Sequence, residues 1–396
     1  MNASGAPAIP DEVLEIARTL EEAGYEAWCV GGALRDAILG HPHTDFDFAT
    51  SATPAQVQAL FRRTAPVGEK YGTVGVIDRR RVVHEVTTFR RDVATDGRHA
   101  VVAYGVSLEE DLSRRDFTIN AIAYHPFRQE WRDPYGGRSD LGRGLLRAVG
   151  DAAERFREDY LRILRAVRFA ARFGFAIEPA TWAAAVAAAP GLARLSAERV
   201  REEWFKGLRT ATSVSRLVEL WVRVGAAERW IPELLAVPPE VLARAATVPL
   251  EARDPVLLTA LLTDHPVAVL RRLRASNAEI ERAALLARGP AKPAGSTAAD
   301  VRRWLSAVGR GADDFLELYL LREGREAPWG PTVRGVRERG EPLARGDLAV
   351  SGTDLQALGA SGPRVGELLA TLLDRVLEDP SLNQRDRLLA LAGELT

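Results

Sequence analysis

Residues 27–36 read Ala-Trp-Cys-Val-Gly-Gly-Ala-Leu-Arg-Asp, and residues 44–50 read Thr-Asp-Phe-Asp-Phe-Ala-Thr. The first stretch predicts a short apolar strand at Ala27–Val30, a turn at Gly31–Gly32, and a brief helix, Ala33–Leu39, stopped by Gly40. The second predicts a strand, because Phe46 and Phe48 alternate with Asp45, Asp47 and Ala49. Strand side chains alternate between faces, so Asp45 and Asp47 share one. Two carboxylates side by side repel each other unless a cation or water neutralises them. A hard divalent ion whose remaining ligands are phosphate oxygens suits such a pair. Just upstream, the double glycine lets backbone N–H groups approach a phosphate, while the helix start and Arg35 supply positive potential. Each signal has a plain alternative: a solvated acidic strand face, and a simple tight turn. Ten residues apart, they describe a triphosphate cradle facing a metal site.

Working outward, Val13, Ile16, Ala17 and Leu20 follow Pro10–Asp11 at helical spacing and predict an opening amphipathic helix. Thr53-Pro54-Ala55-Gln56 has the form of a capping box with Pro at the first helical position. Strand candidates Thr73–Ile77 and Val82–Thr88 flank the polar turn Asp78–Arg81 as a hairpin. Glu85 lies in the second of these, inside an apolar run, and offers a third carboxylate if that strand lies beside the first. The stretch Asp92–Val106 reads as a polar loop with Gly97 and Gly105. After about residue 150 the chain runs helix after helix, rich in Ala, Leu and Arg, broken by a Pro-, Gly- and Ala-rich stretch at Gly289–Thr297. The expected class is α+β: a small mixed sheet in front, all-helical behind.

Composition bounds the partners. The chain has 396 residues and a formal net charge of −1, so contact with nucleic acid must rest on locally concentrated arginine. Cys29 is the single cysteine, which leaves no internal disulfide and fits a reducing cytosol. No apolar run is long enough to span a bilayer, and the first ten residues lack the basic and apolar regions of a signal peptide. The expected location is cytoplasmic, without a membrane partner.

One helical segment concentrates charge. Arg162, Arg165, Arg168 and Arg172 are spaced three, three and four apart and form a stripe, with Asp159 one turn before it. A carboxylate acceptor beside guanidinium donors can match the Watson–Crick edge of a base. An Asp–Arg pair on a solvated face is the alternative, worth about 0.5 kcal/mol. Leu161, Leu164, Val167, Phe169 and Ala170 fill much of the remaining helix surface, which predicts packing on several sides and a stripe that lines a cleft.

Five motifs occur in order: VGGALRD at 30–36, DFDFATSATP at 45–54, HEVTTFRRD at 84–92, SLEEDLSRRDFTINAIAY at 107–124, and EDYLRILRAVRFAARFGF at 158–175. Together they resemble the class II tRNA nucleotidyltransferase and bacterial poly(A) polymerase family over about the first half of the chain. The resemblance implies a polymerase-β-type head with a small mixed sheet, then helical neck, body and tail, here 1–148, 149–212, 213–288 and 289–396. It implies Mg2+ as cofactor, with Asp45 and Asp47 as metal ligands and Glu85 as a third acidic position. It also implies nucleotide contacts by Gly32, Arg35 and Arg115, with Asp116 near the ribose. Asp159, Arg162, Arg165 and Arg168 match the base- and phosphate-reading helix. The implied reaction joins CMP and AMP, from CTP and ATP, to the 3′ end of tRNA without a template, and releases pyrophosphate.

Within the family, Ser351-Gly352-Thr353-Asp354-Leu355 and Gly362-Pro363-Arg364-Val365-Gly366 resemble the tail of single-chain CCA-adding enzymes. The near-neutral charge separates the chain from poly(A) polymerases with strongly basic extensions. Only His265 follows His125, so the metal-dependent phosphohydrolase domain of some relatives is not expected. Trp204, Trp221 and Trp230 read as core residues rather than stacking platforms. Arg271–Arg274 and Arg302–Arg303 are candidates for an RNA backbone track. The rival readings are a poly(A) polymerase, a CC-adding or A-adding specialist, and a catalytically silent RNA-binding protein.

Overall fold

The computed structural model describes residues 6–41, 46–67, 72–95 and 100–395, with side chains throughout except at 92–95 and 100–102. It divides into two compact units, Met1–Leu235 and Ala236–Thr396.

In the first unit, α1 (Asp11–Glu22) buries Val13, Ile16, Ala17 and Leu20, the four positions whose spacing predicts it. Strands β1 (Ala27–Val30), β2 (Asp47–Thr50), β3 (Thr64–Ala65), β4 (Thr73–Ile77) and β5 (Val83–Thr88) belong to a seven-stranded sheet. A ribbon of β6 (Arg90–Thr95) and β7 (Ala100–Tyr104) stands apart from it, and β8 (Ala123–His125) and β9 (Glu130–Arg132) complete the sheet. The sheet order is β3-β4-β5-β2-β1-β8-β9. Every pairing in it is antiparallel except β2 with β5, which is parallel.

Two apolar clusters form on opposite faces, as strand alternation requires. Cys29, Phe48, Val74, Val76 and Val86 pack with the buried side of α1. Trp28, Val30, Ala49 and Ala123 pack with Phe89, Leu108 and Leu112 on the other side.

Helices follow their local signals. Helix α2 (Gly31–Leu39) begins at the double glycine rather than after it and ends at Gly40, in the left-handed region at φ 72°. The capping box at Thr53 and Gln56 opens α3 (Pro54–Leu60). Then come α4 (Leu108–Ser113), α5 (Gly137–Arg143), α6 (Ala152–Glu158), α7 (Leu161–Phe173), α8 (Pro179–Ala188), α9 (Ala197–Thr210) and α10 (Val214–Arg223). Helix α7 packs against α9 and α10. Trp204 and Trp221 are 1% exposed and meet edge to face at 4.9 Å, and Trp230 is buried too, so all three are core residues.

Two expectations need correction, and a third falls partly outside the described residues. The polar loop expected at Asp92–Val106 is largely the β6–β7 ribbon, antiparallel with an irregularity between Asp92 and Ala94. The β-formers Val93, Val101, Val102 and Tyr104 favour pairing over the local polarity. The strand expected at Thr44–Thr50 is described from Asp47 onward, with Thr44 and Asp45 outside the described residues. Asp159 is not on the arginine helix: its backbone is extended (φ −154°, ψ 107°), and α7 starts at Leu161.

The second unit is helical from Pro239–Thr247 to Arg385–Leu395. Its core includes Leu355, Leu368, Leu372, Val376 and Leu388. Helix Pro363–Glu378 opens with Pro at its first turn after Gly362, at φ 55°. The Gly289–Thr297 stretch joins helices Asn277–Arg288 and Ala298–Val308 without regular structure. Arg302 is not an RNA-facing residue. It is 6% exposed and donates to the carbonyls of Leu377 and Glu378 and to Glu341. Among the described residues no helix is long and apolar enough to cross a membrane.

Candidate active site

The acidic centre is built by the parallel pairing of β2 and β5. Phe48 lies beside Val86, and both enter the same apolar cluster. Their predecessors, Asp47, which opens β2, and Glu85, the third residue of β5, therefore project together from the opposite face. Asp47 is half-buried and Glu85 exposed, so a charge inside the apolar run needs no buried partner. Asp45 lies outside the described residues.

The glycine turn faces this centre. Asp47 pairs across with Val30, and Gly31 follows at φ 81°. A Cβ on Gly31 would sit 2.6 Å from Asp47 Oδ2, so only glycine permits both the conformation and the close approach. Behind the strand, buried His84 places Nδ1 3.2 Å from the Phe46 carbonyl oxygen and Nε2 3.2 Å from Asp78 Oδ2.

Arg35, on α2, is 4% exposed. It donates to Asp36 Oδ1 at 2.9 Å and to Asn120 Oδ1 at 2.7 Å. Its guanidinium also lies over the rings of Phe169 and Phe173 on α7, at 5.0 and 4.8 Å. Gly32, next to Gly31 in the first turn, lies 3.4 Å from Arg35 Nη2 when given a Cβ. Burial pulls the Arg35 pKa down, opposed by Asp36.

The end of α4 and the segment after it carry the next group of charges. Asp111, 1% exposed, accepts from Arg114 Nη2 at 2.8 Å and Arg115 Nη2 at 3.3 Å. Arg115 also donates to the Asn120 carbonyl, while its Nε is buried with no hydrogen-bond partner among the described residues. Asp116, 7% exposed, accepts from the Phe117 amide and Asn120 Nδ2 at 2.9 Å and from Arg165 Nε at 2.7 Å. Burial by itself would raise the Asp116 pKa, but Arg165 and the Asn120 amide outweigh it and hold the carboxyl down to about 2.

The helical side arrives through α6, α7 and α9. Asp159 Oδ1 accepts from the Leu161 amide at 3.0 Å, satisfying a free donor at the helix start. Its Oδ2 receives Arg199 of α9 at 2.7 Å, so its ion partner is not Arg162. Arg199 Nη1 is buried without a partner among the described residues. Arg162 donates to the Arg114 carbonyl at 3.0 Å, to the Arg155 carbonyl and to Glu158. Arg165 bonds Asp116, and Arg168, 7% exposed, bonds Glu203 of α9 at 2.5 Å. Arg172 donates to Asp36 at 2.7 Å. The stripe thus faces buried carboxylates and carbonyls of neighbouring elements rather than open solvent, and α7 is tied to the sheet domain through Asp36, Asp116 and Arg114.

Sequence reasoning left out Asp111, Asn120, Arg199 and Glu203. Asn120 lies inside the quoted RRDFTIN run, four residues after Asp116, and the signal for it was present. Arg199 is 40 residues from Asp159 and no local pattern joins them.

The poly(A) polymerase head-domain profile matches residues 27–147, and that of the probable RNA- and SrmB-binding site of polymerase A matches 174–237. The CCA-adding enzyme of Geobacillus stearothermophilus is 36% identical over 397 residues, covering 96% of this chain and 95% of the relative. This chain belongs to the CCA-adding enzyme family of tRNA nucleotidyltransferases. The crystal structure of the Bacillus stearothermophilus CCA-adding enzyme in complex with CTP superimposes with a TM-score of 0.79, at 34% identity and 97% coverage of both chains. The Thermotoga maritima CCA-adding enzyme, solved in complex with tRNA, shares the fold at a TM-score of 0.62 and 18% identity, covering 98% of this chain and 97% of its own. The family's α+β plan, a polymerase-type head followed by helices, is the architecture described above.

Proposed function

We propose that this chain adds CMP and AMP, from CTP and ATP, to the 3′ end of tRNA without a template and releases pyrophosphate. The observation that carries this is likeness to a CCA-adding enzyme along the whole chain, helical part included, not along the head alone.

In the reaction the terminal ribose hydroxyl attacks the α-phosphorus, a new phosphodiester forms, and the bond to the β-phosphate oxygen breaks. The donor set supports a divalent cation: Asp47 is held against a glycine turn that no side chain would fit, and Glu85 projects from the same face of the neighbouring strand. Asp45 and Asp47 would hold Mg2+, which when bound supplies hydroxyl activation and charge neutralisation. The chain's own residues provide position. The first amides of α2, beside Asp47, suit a phosphate, and the hydrogen-bonded frame of Arg35, Asn120 and Asp116 fixes how α7 meets the head. Gly32, Arg35, Arg115 and Asp116 serve nucleotide binding in this reading, Arg35 and Asp116 being held in place by their contacts with Asn120. Asp159, Arg162, Arg165 and Arg168 form the base- and phosphate-reading group, and Arg199 keeps the Asp159 carboxylate in place. The functional segments are the head at 1–148, neck at 149–212, body at 213–288 and tail at 289–396, acting in the cytoplasm.

The test incubates purified protein, Mg2+ and labelled CTP or ATP with tRNAs ending before CCA, after C, and after CC. CMP on the first two and one AMP on the third is the expected result. CC alone or A alone would mean a specialist, long A tails a poly(A) polymerase, and no incorporation would sink the proposal.

A further inference from the structure

A groove of about 530 Å³ lies between α6, α8 and the turn that follows α8, outside the set of residues described for the active site. One wall is alanine: Ala184, Ala187 and Ala188 of α8. Half-buried Tyr160 also lines it, and Arg157 and Arg194, both exposed, contribute guanidinium groups. Among the described residues no carboxylate lines it.

Three features suit this groove to a ligand. Tyr160 is fixed: a Cβ on Gly191 would fall 2.0 Å from the ring, so the backbone there lies directly against the tyrosine. A ring held this way loses little freedom when something docks beside it. Arg194 stands over the same ring at 5.7 Å. Neither arginine forms an ion pair among the described residues, although Arg155 on the same helix pairs with Glu158. Two unneutralised guanidinium groups, an aromatic ring and small apolar walls, in a volume of ligand-site size, match one nucleotide unit with its flanking phosphates. Tyr160 directly follows Asp159, so the groove adjoins the base-reading group along the chain.

We infer that this groove docks a nucleotide unit of the RNA substrate, its phosphates on Arg157 and Arg194 and its base or sugar against Tyr160 and the alanine wall. This rests on the tRNA substrate proposed above. Arg155 and Arg162 are already committed to Glu158, so the two free arginines are where phosphate charge is compensated.

The test uses the full chain and a tRNA ending before CCA, labelled with a fluorophore. Binding anisotropy is measured at several salt concentrations for wild type, the double variant R157A/R194A, and A187E, which sets a negative charge into the groove from an exposed position. The expected result is a roughly tenfold weaker Kd in both variants. The slope of log affinity against log salt should fall by about one to two for the double variant, as loss of one or two phosphate contacts requires. The KM for tRNA should rise with it, while kcat at saturating tRNA and the KM for CTP stay constant. The control R79A/R80A, on the hairpin turn between β4 and β5 and outside the groove lining, should bind as wild type; an equal loss there would reduce the effect to general charge and overturn the docking site. If R157A/R194A does not fold, as read by circular dichroism, A187E decides alone. Unchanged tRNA affinity in folded variants overturns the inference and leaves the groove to a protein partner. A raised KM for CTP with unchanged tRNA affinity assigns it to free nucleotide and overturns it as well. Failure of wild type to bind tRNA would sink the proposed function along with it, whereas wild-type activity with silent variants sinks the groove alone.

Discussion

At the scale of single residues, the acidic centre depends on one missing Cβ. Gly31 combines φ 81° with a 2.6 Å approach to Asp47 Oδ2, and alanine satisfies neither condition. Gly31→Ala is expected to push Asp47 out of place and lower kcat for CMP addition by at least tenfold, with the circular dichroism spectrum retained; wild-type turnover would refute this placement. Asp116 gives a pH-dependent prediction. Its folded pKa, about 2, lies below the ordinary aspartate value, so its ionised form stabilises the fold above about pH 4. That contribution disappears as pH falls toward 2. Asp116→Asn is expected to cost about 2 kcal/mol at pH 7, and the gap between variant and wild type in urea unfolding should narrow from pH 5 to pH 2. A gap independent of pH would mean that the Arg165 pair does not hold the proton off. Strand alternation put Asp45 and Asp47 on one face in the sequence, whereas the face that Asp47 shares with Glu85 follows only from the parallel register of β2 and β5. Arg199 was not legible, since its link to Asp159 exists only after α9 has packed on α7.

For the elements, α7 is the informative one. Its arginine spacing and apolar filling were readable from period alone, and its burial on several sides followed. The partner of each arginine was not readable: Glu203, Asp116 and Asp36 come from 35, 49 and 136 residues away. Arg168 and Glu203 are both nearly buried, so Arg168→Ala strands a carboxylate in the core. The expected loss is about 3–5 kcal/mol in urea unfolding, and replacing both residues by apolar ones of similar volume should recover most of it. A loss below about 1 kcal/mol would show that water reaches Glu203. The β6–β7 ribbon shows the opposite failure: polar residues near Gly97 masked two runs of β-formers, and pairing partners on either side of the break outvoted local polarity.

In the molecule as a whole, each of the two units has its own core, and the acidic centre, its arginine frame and the groove all fall within Met1–Leu235. The cysteine reports on that unit. Cys29 is fully buried in β1, and burial pushes its thiol pKa far up, so both access and thiolate are lacking. A thiol reagent at pH 8 is expected to leave the native protein unlabelled and to modify one site once denaturant unfolds Met1–Leu235. Labelling at native stability would mean that the sheet opens locally.

The sequence alone determined the α+β plan, the opening helix, the capping box and the strands around the glycine turn. These rest on periods of 2 and 3.6 residues and on glycine's freedom at positive φ, which are local properties. Only the tertiary structure decided which charges meet. Arg35 goes inward to Asn120 and the α7 rings, Asp159 leaves its helix for Arg199, and Arg302 turns from surface candidate to buried clamp. The physical reason is desolvation: a guanidinium or carboxylate carried toward the core must find an opposite charge or a carbonyl there, and which one it finds depends on packing between distant segments.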